Sequence, residues 1–580
     1  MADYVIRNGT VVDGSGAPGF RADVVVEGDR ITAVERIGQI KIDPNGCRTI
    51  NAAGKIVCPG IIDSHSHADL TIYRGNHAQT LEPLIRQGIT TFIGGNCGMS
   101  MAPLSERHPA EVKMYLEGFT ARELDEEITW KDSAGFMDQL DKNGVAMNCA
   151  LLAPHGLIRI DAMGMQPSHA NNEQIGLMSR RLEESMEAGC VGMSTGLQYM
   201  PGLQSDTREL VKLGAVLKKY EGIYVSHLRT YMNELPKAVD ELAEVAREND
   251  IRAQISHMFW VPDLGPIGPL VHGFARFFIN LSKYWTLPAK LDSAIEKELD
   301  RITGFSKKGV SVGVDVMPTT TTFTHLMAYF PPWVLQGSKE DIGRRLTNPR
   351  YRRRILRDIE NGDMAWPHTG RNSWSLNIFK LLGWQSTRIM SVFSRKNKHL
   401  EGRTFADIAE ERGKHPFDVI CDILAEEDAR VLVFSSLGEP EDNFTEQSIY
   451  AALKHPDVAI STDTILLGLG KPSHLFYGAY PKFFSRYVRE KKMLSIEAAV
   501  RKTSGLPAEH YRLKDRGFIK KGGFADVLIF DPKTIAPNCD FCNPQGTPSG
   551  IEHVFINGHH AVEKGKIDLS MMPGRVLRRG

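Results

Sequence analysis

The sequence predicts an α/β protein built on a (β/α)8 barrel of the TIM type, with a small β-sandwich domain formed by both chain ends. Three observations support this prediction. The chain has 580 residues, more than one simple hydrophobic core accommodates. Short apolar runs bounded by turn residues occupy both ends of the chain. Between the ends, short apolar strands alternate with longer helical stretches, which is typical of a parallel sheet covered by helices.

The terminal domain draws its strands from two distant parts of the chain. The apolar runs that predict these strands span residues 4–9, 22–28, 30–34, 524–530 and 553–558. We therefore expect residues 1–57 and 506–580 to form one small β domain, and residues 58–505 to form the barrel.

Two histidines separated by one residue follow the first barrel strand. His65 and His67 come directly after the apolar run 56–62. Residues i and i+2 of a strand point to the same face, and at the carboxyl end of a barrel strand that face is the mouth where active sites are built. Two convergent imidazoles suit a divalent metal, although an HxH pair by itself is a weak signal.

Four further strand ends carry side chains that bind metals. Strands 90–94, 223–225, 251–255 and 458–460 lead to Cys97, His227, His257 and Asp463, respectively. Taken singly, the cysteine can be a buried small hydrophobe, either histidine a satisfied core residue, and the aspartate a helix N-cap. With the HxH pair they form a set of imidazole, thiolate and carboxylate donors sufficient for one or two zinc ions.

Composition excludes several classes of function. Seventy Lys and Arg balance seventy Asp and Glu, so no overall charge attracts nucleic acid. The first residues lack signal-peptide features, and no run of about 18 apolar residues predicts a transmembrane helix. Eight cysteines in so long a chain indicate a reducing cytoplasm rather than a disulfide scaffold, and we interpret Cys539 and Cys542 as two unpaired loop thiols.

Longer motifs surround these residues. They are CPGIIDSHSHAD at 58–69, GGNCGMSMAP at 94–103, GMSTGLQYMPG at 192–202, SHLR at 226–229, SH at 256–257, FPPW at 330–333, LEGRTFADIAEERGKHPFDVICDIL at 400–424 and DRGFIKKGGFADVLIFDP at 515–532. Together they resemble the N-acyl-D-amino-acid deacylase (D-aminoacylase) branch of the amidohydrolase superfamily over nearly the whole chain. The GNCG and STGLQYMPG segments are specific to this branch, whereas HxH marks the superfamily alone.

The resemblance implies a metal-dependent hydrolase of amide C–N bonds other than peptide bonds. It implies a tightly held zinc site at Cys97, His227 and His257, and a second, weaker site at His65 and His67. Asp463 would be the catalytic acid/base, and Tyr199 would line the substrate pocket. Zinc lowers the pKa of a bound water to about 7 and polarises the amide carbonyl, while Asp463 can carry the proton to the leaving nitrogen.

The chain departs from this branch at two positions that bind the substrate. D-aminoacylases grip a free carboxylate with a lysine in an SHLK stretch and an arginine in an HPRxYG stretch. Here Phe259 and Leu475 stand at those positions. A buried carboxylate without a cation is costly, so we expect a bulky or apolar substrate, unless Arg229 or Arg159 takes over the role of the clamp.

A second departure is an apolar insertion near residues 260–287. His257 and Asp315 are separated by markedly more residues than the family pattern requires, and stretch 267–285 is rich in aromatic and apolar residues. Loops after barrel strands form the active-site face, so the insertion lies at the mouth. The sequence is compatible with four roles for this insertion: a lid, a partner-binding helix, a dimer contact or an interfacial membrane element.

The sequence therefore predicts a cytoplasmic zinc amidohydrolase acting on a small-molecule amide, as a monomer or an oligomer. One alternative is a cyclic amidase of the hydantoinase or dihydroorotase type, which would normally carry a metal-bridging lysine at a barrel strand end. Another is a non-catalytic scaffold, which typically loses metal ligands, whereas all six are present here.

Overall fold

The computed structural model describes residues 3–39, 46–120, 123–124, 128–265, 268–285, 288–362, 366–370, 372–436 and 441–579. The strands in chain order are β1 (Tyr4–Val11), β2 (Phe20–Glu27), β3 (Arg30–Arg36), β4 (Arg48–Asn51), β5 (Ile56–Pro59), β6 (Ile61–Asp63), β7 (Ile89–Gly94), β8 (Asn148–Pro154), β9 (Gly192–Gly196), β10 (Ile223–His227), β11 (Arg252–Ile255), β12 (Val312–Val316), β13 (Thr322–His325), β14 (Thr387–Val392), β15 (Val431–Ser435), β16 (Val458–Ile460), β17 (Val527–Phe530), β18 (Ile551–Ile556), β19 (His559–Glu563) and β20 (Lys566–Ile567).

Helices cover the sheets. In chain order they are α1 (His77–Arg86), α2 (Pro109–Thr120), α3 (Ser133–Asn143), α4 (His155–Met163), α5 (Asn172–Ala188), α6 (Thr207–Lys219), α7 (Leu235–Asn249), α8 (Gly268–Ser282), α9 (Ser293–Ser306), α10 (Lys339–Thr347), α11 (Pro349–Asn361), α12 (Ile378–Leu382), α13 (Phe405–Arg412), α14 (Pro416–Glu426), α15 (Tyr450–Lys454), α16 (Leu475–Lys482), α17 (Ile496–Val500) and α18 (Leu506–His510). Within the described ranges, none of these helices is both long and apolar enough to cross a bilayer.

The predicted α/β barrel is confirmed. Eight strands pair in parallel in the order β16-β12-β11-β10-β9-β8-β7-β6. Strands β7, β8 and β9 are buried along their whole length, as expected for a parallel sheet with both faces covered. Strands β13, β14 and β15 form a separate antiparallel sheet between β12 and β16 in the chain.

The barrel closes just beyond the carboxyl ends of its first and last strands. Ser66, which follows β6, forms a parallel bridge with Thr464, which follows β16. The His67 N–H donates to the Thr464 carbonyl at 2.8 Å, and the Asp463 N–H donates to the His65 carbonyl at 2.9 Å. Two distant parts of the chain are thereby held together at the mouth.

A nine-stranded sheet joins strands from both chain ends. Its order is β20-β19-β18-β17-β5-β1-β2-β3, with β4 paired to β1. Strand β5 connects the two halves, because it is parallel to β1 and antiparallel to β17. Its core includes Ile6, Val24, Val57, Val527 and Phe555, all fully buried. The division of the chain at residues 57 and 505 stays a prediction.

The predicted insertion lies between β11 and β12 and contains α8 and α9. Of the stretch 260–287, residues Pro266, Ile267, Thr286 and Leu287 lie outside the described residues. Residues 260–265 and 268–285 are described, and α8 occupies most of the second range.

A buried ion pair lies where the terminal sheet meets the barrel. Arg516, which is 3% exposed, pairs with Asp526 and donates to Asn557 Oδ1 at 2.8 Å. Asp526 accepts a hydrogen bond from the Asn557 N–H at 2.8 Å and another from Asn148 Nδ2 of β8 at 3.3 Å. These polar side chains therefore join the two parts of the fold.

We expect Arg516→Met to lower the free energy of unfolding by about 3–5 kcal/mol, because it leaves the Asp526 carboxylate buried without its charged partner. The matched control is Arg512→Met, since Arg512 pairs with Glu221 and is 56% exposed; it should change the free energy by less than about 1 kcal/mol. Urea unfolding followed by circular dichroism measures both. Equal effects of the two substitutions would contradict the role of this cluster.

Candidate metal centre and its cavity

The structure brings all six sequence-predicted ligand residues to the mouth of the barrel. They are His65, His67, Cys97, His227, His257 and Asp463, all buried. His227 ends β10, and the other five follow the ends of β6, β7, β11 and β16 within four residues. Parallel strands deliver their carboxyl ends to one face, which is why residues so distant in sequence meet there.

Three of these residues adopt left-handed backbone conformations that side chains with a Cβ seldom take. The φ angles are 52° at Cys97, 35° at His257 and 53° at Asp463. Such conformations cost on the order of 1–3 kcal/mol each and persist where the surroundings over-determine them. Here the backbone bonds described above fix Asp463, and the Asp315 carboxylate fixes His257 by accepting its N–H at 2.8 Å.

The ligand atoms form two overlapping groups. The Cys97 Sγ lies 3.4 Å from His65 Nε2 and 3.7 Å from both His227 Nδ1 and His257 Nε2. The Asp463 Oδ1 lies 3.3 Å from His65 Nε2 and 3.2 Å from His67 Nε2. His65 belongs to both groups, so the donors suit two neighbouring ions as well as one.

The spacing of these atoms fits a shared metal better than direct hydrogen bonds. Zinc–ligand bonds of 2.0–2.3 Å place two ligand atoms of one tetrahedral ion roughly 3.3–3.6 Å apart. The measured separations of 3.2–3.7 Å match this range. The donor set of imidazole, thiolate and carboxylate is also the one that zinc prefers.

Protonation states favour metal binding at Cys97, Asp463 and His227. Burial raises the pKa of the Cys97 thiol, but the charge of His65 and the close contacts with the His227 and His257 imidazoles hold it well below its usual range. Burial acts likewise on Asp463, and contacts with His65 and His67 hold its pKa well below normal. Burial and the neighbouring His257 lower the pKa of His227 to about 4. The thiolate, carboxylate and neutral imidazole are the ligating forms.

His65 and His67 are the exceptions among these groups. Burial lowers the pKa of His65, but the Cys97 thiolate and the Asp463 carboxylate outweigh burial and raise it well above its usual value. Burial also lowers the pKa of His67, but the hydrogen bond with Asp463 and the Cys97 thiolate outweigh burial and raise it to about 9. In the metal-free cluster this imidazole therefore carries a proton at neutral pH, and metal binding at His67 must displace it.

Gln198 is a positioning residue that the sequence did not reveal. Its Oε1 accepts a hydrogen bond from His227 Nε2 at 2.7 Å, and its Nε2 donates to Ser375 Oγ at 2.6 Å. Ser375 in turn donates to the Arg229 carbonyl at 2.8 Å. This series of hydrogen bonds keeps the proton of His227 on Nε2. The lone pair of Nδ1, beside Cys97, is therefore free to bind a metal.

Asp315 and Asp63 hold the loops of the cluster in place through hydrogen bonds. The Asp315 carboxylate accepts hydrogen bonds from Gln254 Nε2 and Ser461 Oγ, both at 2.8 Å, and its backbone carbonyl accepts the Met258 N–H at 2.7 Å. Asp63 accepts from the backbone N–H of Thr462 at 3.0 Å, next to Asp463. The two aspartates therefore fix the loops that carry His257 and Asp463.

A cavity of about 320 Å³ extends outward from the cluster. Five of the ligand residues line it, namely His67, Cys97, His227, His257 and Asp463, and most of the remaining wall is apolar. The apolar wall includes Met99, Phe119, Phe259, Trp260, Leu264, Val271, Ala275, Met317, Phe323, Leu376, Ile378, Phe444 and Ile465. Among the described residues that line this cavity there is no lysine or arginine.

Of the four residues that the sequence predicts to bind substrate, two line the cavity and two do not. Tyr199 and Phe259 line the cavity. The Phe259 ring stacks on Tyr231 with the centroids 4.3 Å apart, and the Tyr199 hydroxyl accepts a hydrogen bond from Thr324 Oγ1 at 3.4 Å. Leu475 is fully buried at the start of α16, away from the cavity wall. Arg229 is 1% exposed and also lies outside the wall.

Comparison with known proteins tests the resemblance to the D-aminoacylase branch of the amidohydrolases. No family model matches the chain. A D-aminoacylase of Alcaligenes xylosoxydans xylosoxydans is 28% identical over the whole of this chain and 98% of its own length. The crystal structure of a D-aminoacylase, described as defining a novel subset of amidohydrolases, superposes with a TM-score of 0.74 at 26% identity over the full length of both chains.

A second solved structure carries a metal. N-acyl-D-glutamate deacylase from Bordetella bronchiseptica, in complex with zinc and a phosphonate mimic of the tetrahedral intermediate, superposes with a TM-score of 0.73 at 25% identity, covering all of this chain and 99% of that one. The resemblance inferred from the sequence motifs is thereby confirmed. Over its whole length the chain is a homologue of the D-aminoacylases and N-acyl-D-amino-acid deacylases, and it has the amidohydrolase fold of that branch.

Proposed function

We propose that this protein is a zinc-dependent amidohydrolase that hydrolyses the amide bond of an N-acylated compound with bulky, apolar substituents. One observation carries the proposal: five of the six metal-competent side chains, all except His65, line an apolar cavity that has no lysine or arginine among its described lining residues. The relatives are named for deacylation of N-acyl-D-amino acids, which supports the reaction type.

The six ligand residues would hold one or two zinc ions. Cys97 with His65 and His257 forms one candidate set, and His65 with His67 and Asp463 forms the other. His227, oriented by Gln198, completes the first set as a fourth donor. When bound, zinc supplies a Lewis acid for the amide carbonyl and for the attacking water.

The protein's own residues would move the proton and exclude bulk water. Asp463, ionised and at the inner end of the cavity, can accept a proton from the attacking water and deliver it to the departing amide nitrogen, which leaves as an amine while the acyl carbon becomes a carboxylate. Burial and the Cys97 thiolate keep the pKa of Tyr199 well above normal, so its hydroxyl remains a proton donor toward the cavity.

The arginines that could replace the missing carboxylate clamp are already neutralised. The Arg229 guanidinium donates to Glu241 at 2.9 and 3.0 Å and to two backbone carbonyls. Arg159 pairs with Glu209 and donates to the Ser168 carbonyl at 2.6 Å. A carboxylate buried in this cavity would lack a cationic partner and would bind at a high desolvation cost.

The two alternative functions have less support. A cyclic amidase of the hydantoinase or dihydroorotase type would be expected to carry a lysine at a barrel strand end, and the described cavity wall has none. A non-catalytic scaffold has no need to maintain three strained backbone conformations around six convergent ligands.

We expect the purified wild-type protein to contain about one or two zinc ions per chain, and Cys97→Ala to lose most of this metal together with at least about 99% of the activity, because the thiolate contacts three imidazoles. Elemental analysis by mass spectrometry measures the metal. Cys421→Ala is the control, since Cys421 is equally buried in α14 but outside the cluster. A Cys97→Ala protein with a full complement of zinc would refute the assignment.

We expect kcat/KM to be at least about tenfold higher for an uncharged aromatic or long-chain N-acyl amide than for N-acetyl-D-amino acids, which present an unpaired carboxylate to an apolar wall. Phe259→Lys should reverse part of this preference by restoring a cation. Phe259→Leu should preserve it, because the wall stays apolar. Steady-state kinetics on the two substrate classes decide, and a wild-type preference for the small free acids would overturn the proposed substrate class.

A further inference from the structure

Helix α8 exposes a continuous aromatic face. Phe274, Phe277 and Phe278 lie on successive turns and are 59%, 61% and 40% exposed. Just beyond the end of the helix, Tyr284 and Trp285 are 80% and 65% exposed. Large apolar side chains at this density are unusual on a protein surface and mark a contact site.

The same segment carries positive charge and no negative charge. Between Asp263 and Asp292 the chain has three basic residues, Arg276, Lys283 and Lys290, and no Asp or Glu. Lys290 pairs with Glu296 at 3.1 Å. Arg276 and Lys283 make no ion pair among the described residues, so the segment as a whole has a surplus of positive charge. The Arg276 guanidinium contacts the Gln385 side chain, whereas Lys283 precedes the exposed Tyr284 and Trp285.

The edge of α8 beside the aromatic face borders the active-site cavity. Val271 and Ala275, one turn apart, line the cavity together with Leu264 and Leu291 from the same insertion. Phe278 stacks on Phe444, another residue of the cavity wall, with the centroids 5.7 Å apart. The exposed aromatic face is therefore continuous with the mouth of the cavity.

The size and composition of this face favour a lipid surface over a second copy of the chain. At about 200 Å² per aromatic side chain, the five residues expose roughly 600 Å², less than the about 800 Å² per partner of a stable protein interface. Tyr and Trp beside Lys, next to a helix with Phe on one face, are the composition of helices that lie in the plane of a membrane interface.

We propose that α8 and the Tyr284–Trp285 turn dock on the surface of a bilayer containing anionic phospholipids, with the cavity mouth facing the lipid. Phe274, Phe277 and Trp285 enter the headgroup region, and Lys283 contacts lipid phosphates. Docking does not depend on the proposed function. Delivery of a lipophilic amide from the bilayer to the metal cluster does.

The test is co-sedimentation of the full-length protein with sucrose-loaded vesicles of phosphatidylcholine, with and without phosphatidylserine. Wild type should bind the vesicles with phosphatidylserine more strongly, and added salt should weaken this binding. The triple variant Phe274→Ser/Phe277→Ser/Trp285→Ser should lower the partition coefficient by at least about tenfold. Phe20→Ser/Met571→Ser is the control, because these residues are also exposed and apolar but belong to the terminal parts of the chain; its binding should equal that of wild type.

A second measurement locates the contact. Brominated lipids should quench the fluorescence of Trp285, and Trp285→Phe should remove most of that quenching. Metal-free protein should bind vesicles as the metal-loaded protein does, so a failure of the proposed chemistry leaves this test intact. Equal binding of wild type and the triple variant, equal binding to both kinds of vesicle, or a wild-type dimer that the triple variant converts to a monomer without vesicle binding would each overturn the proposal.

Discussion

The parallel bridge between Ser66 and Thr464 is the constraint on which the candidate site depends. It joins the first and last strands of the barrel, which otherwise lie at opposite edges of an eight-stranded sheet. The reciprocal backbone bonds beside it bring His65 and His67 within 3.3 Å of Asp463. The cluster of candidate metal ligands is thus assembled by closure of the barrel, and Asp63 reinforces that closure by accepting the Thr462 N–H.

The protonation states of the cluster follow from the convergence of charged side chains in a buried site. Burial alone would protonate the Cys97 thiol and the Asp463 carboxyl, yet the surrounding imidazoles keep both ionised. The largely apolar lining of the cavity beyond them lowers the local polarity and so strengthens each of these interactions. The three left-handed backbone conformations raise the free energy of the folded state, and they also orient the side chains of the candidate metal ligands.

Much of the fold could be predicted from the sequence, because parallel strands have a clear apolar pattern. The convergence of the six proposed ligand residues could also be predicted, because His, Cys and Asp follow the ends of neighbouring strands. Gln198, Asp63 and Asp315 could not, because amides and carboxylates near strand ends are common and only tertiary contacts show which of them face a ligand. Arg229 illustrates the reverse case. It sits two residues after His227, but its guanidinium turns away from the cavity to Glu241 and two carbonyls. The sequence predicted a substrate contact at Leu475, yet α16 buries this side chain in the core, outside the cavity wall.

The insertion between β11 and β12 is closed at its base by a short clamp. Asp315 receives the backbone N–H of His257 on its carboxylate and that of Met258 on its carbonyl, so the two ends of a 56-residue excursion meet within hydrogen-bond distance. The entropy of closing such a loop grows slowly, by about 0.6 kcal/mol for each doubling of its length. Insertions and deletions in this segment therefore cost little folding free energy and leave His257 in place. The residues that carry out the chemistry and the residues that select the substrate can thus vary independently in evolution.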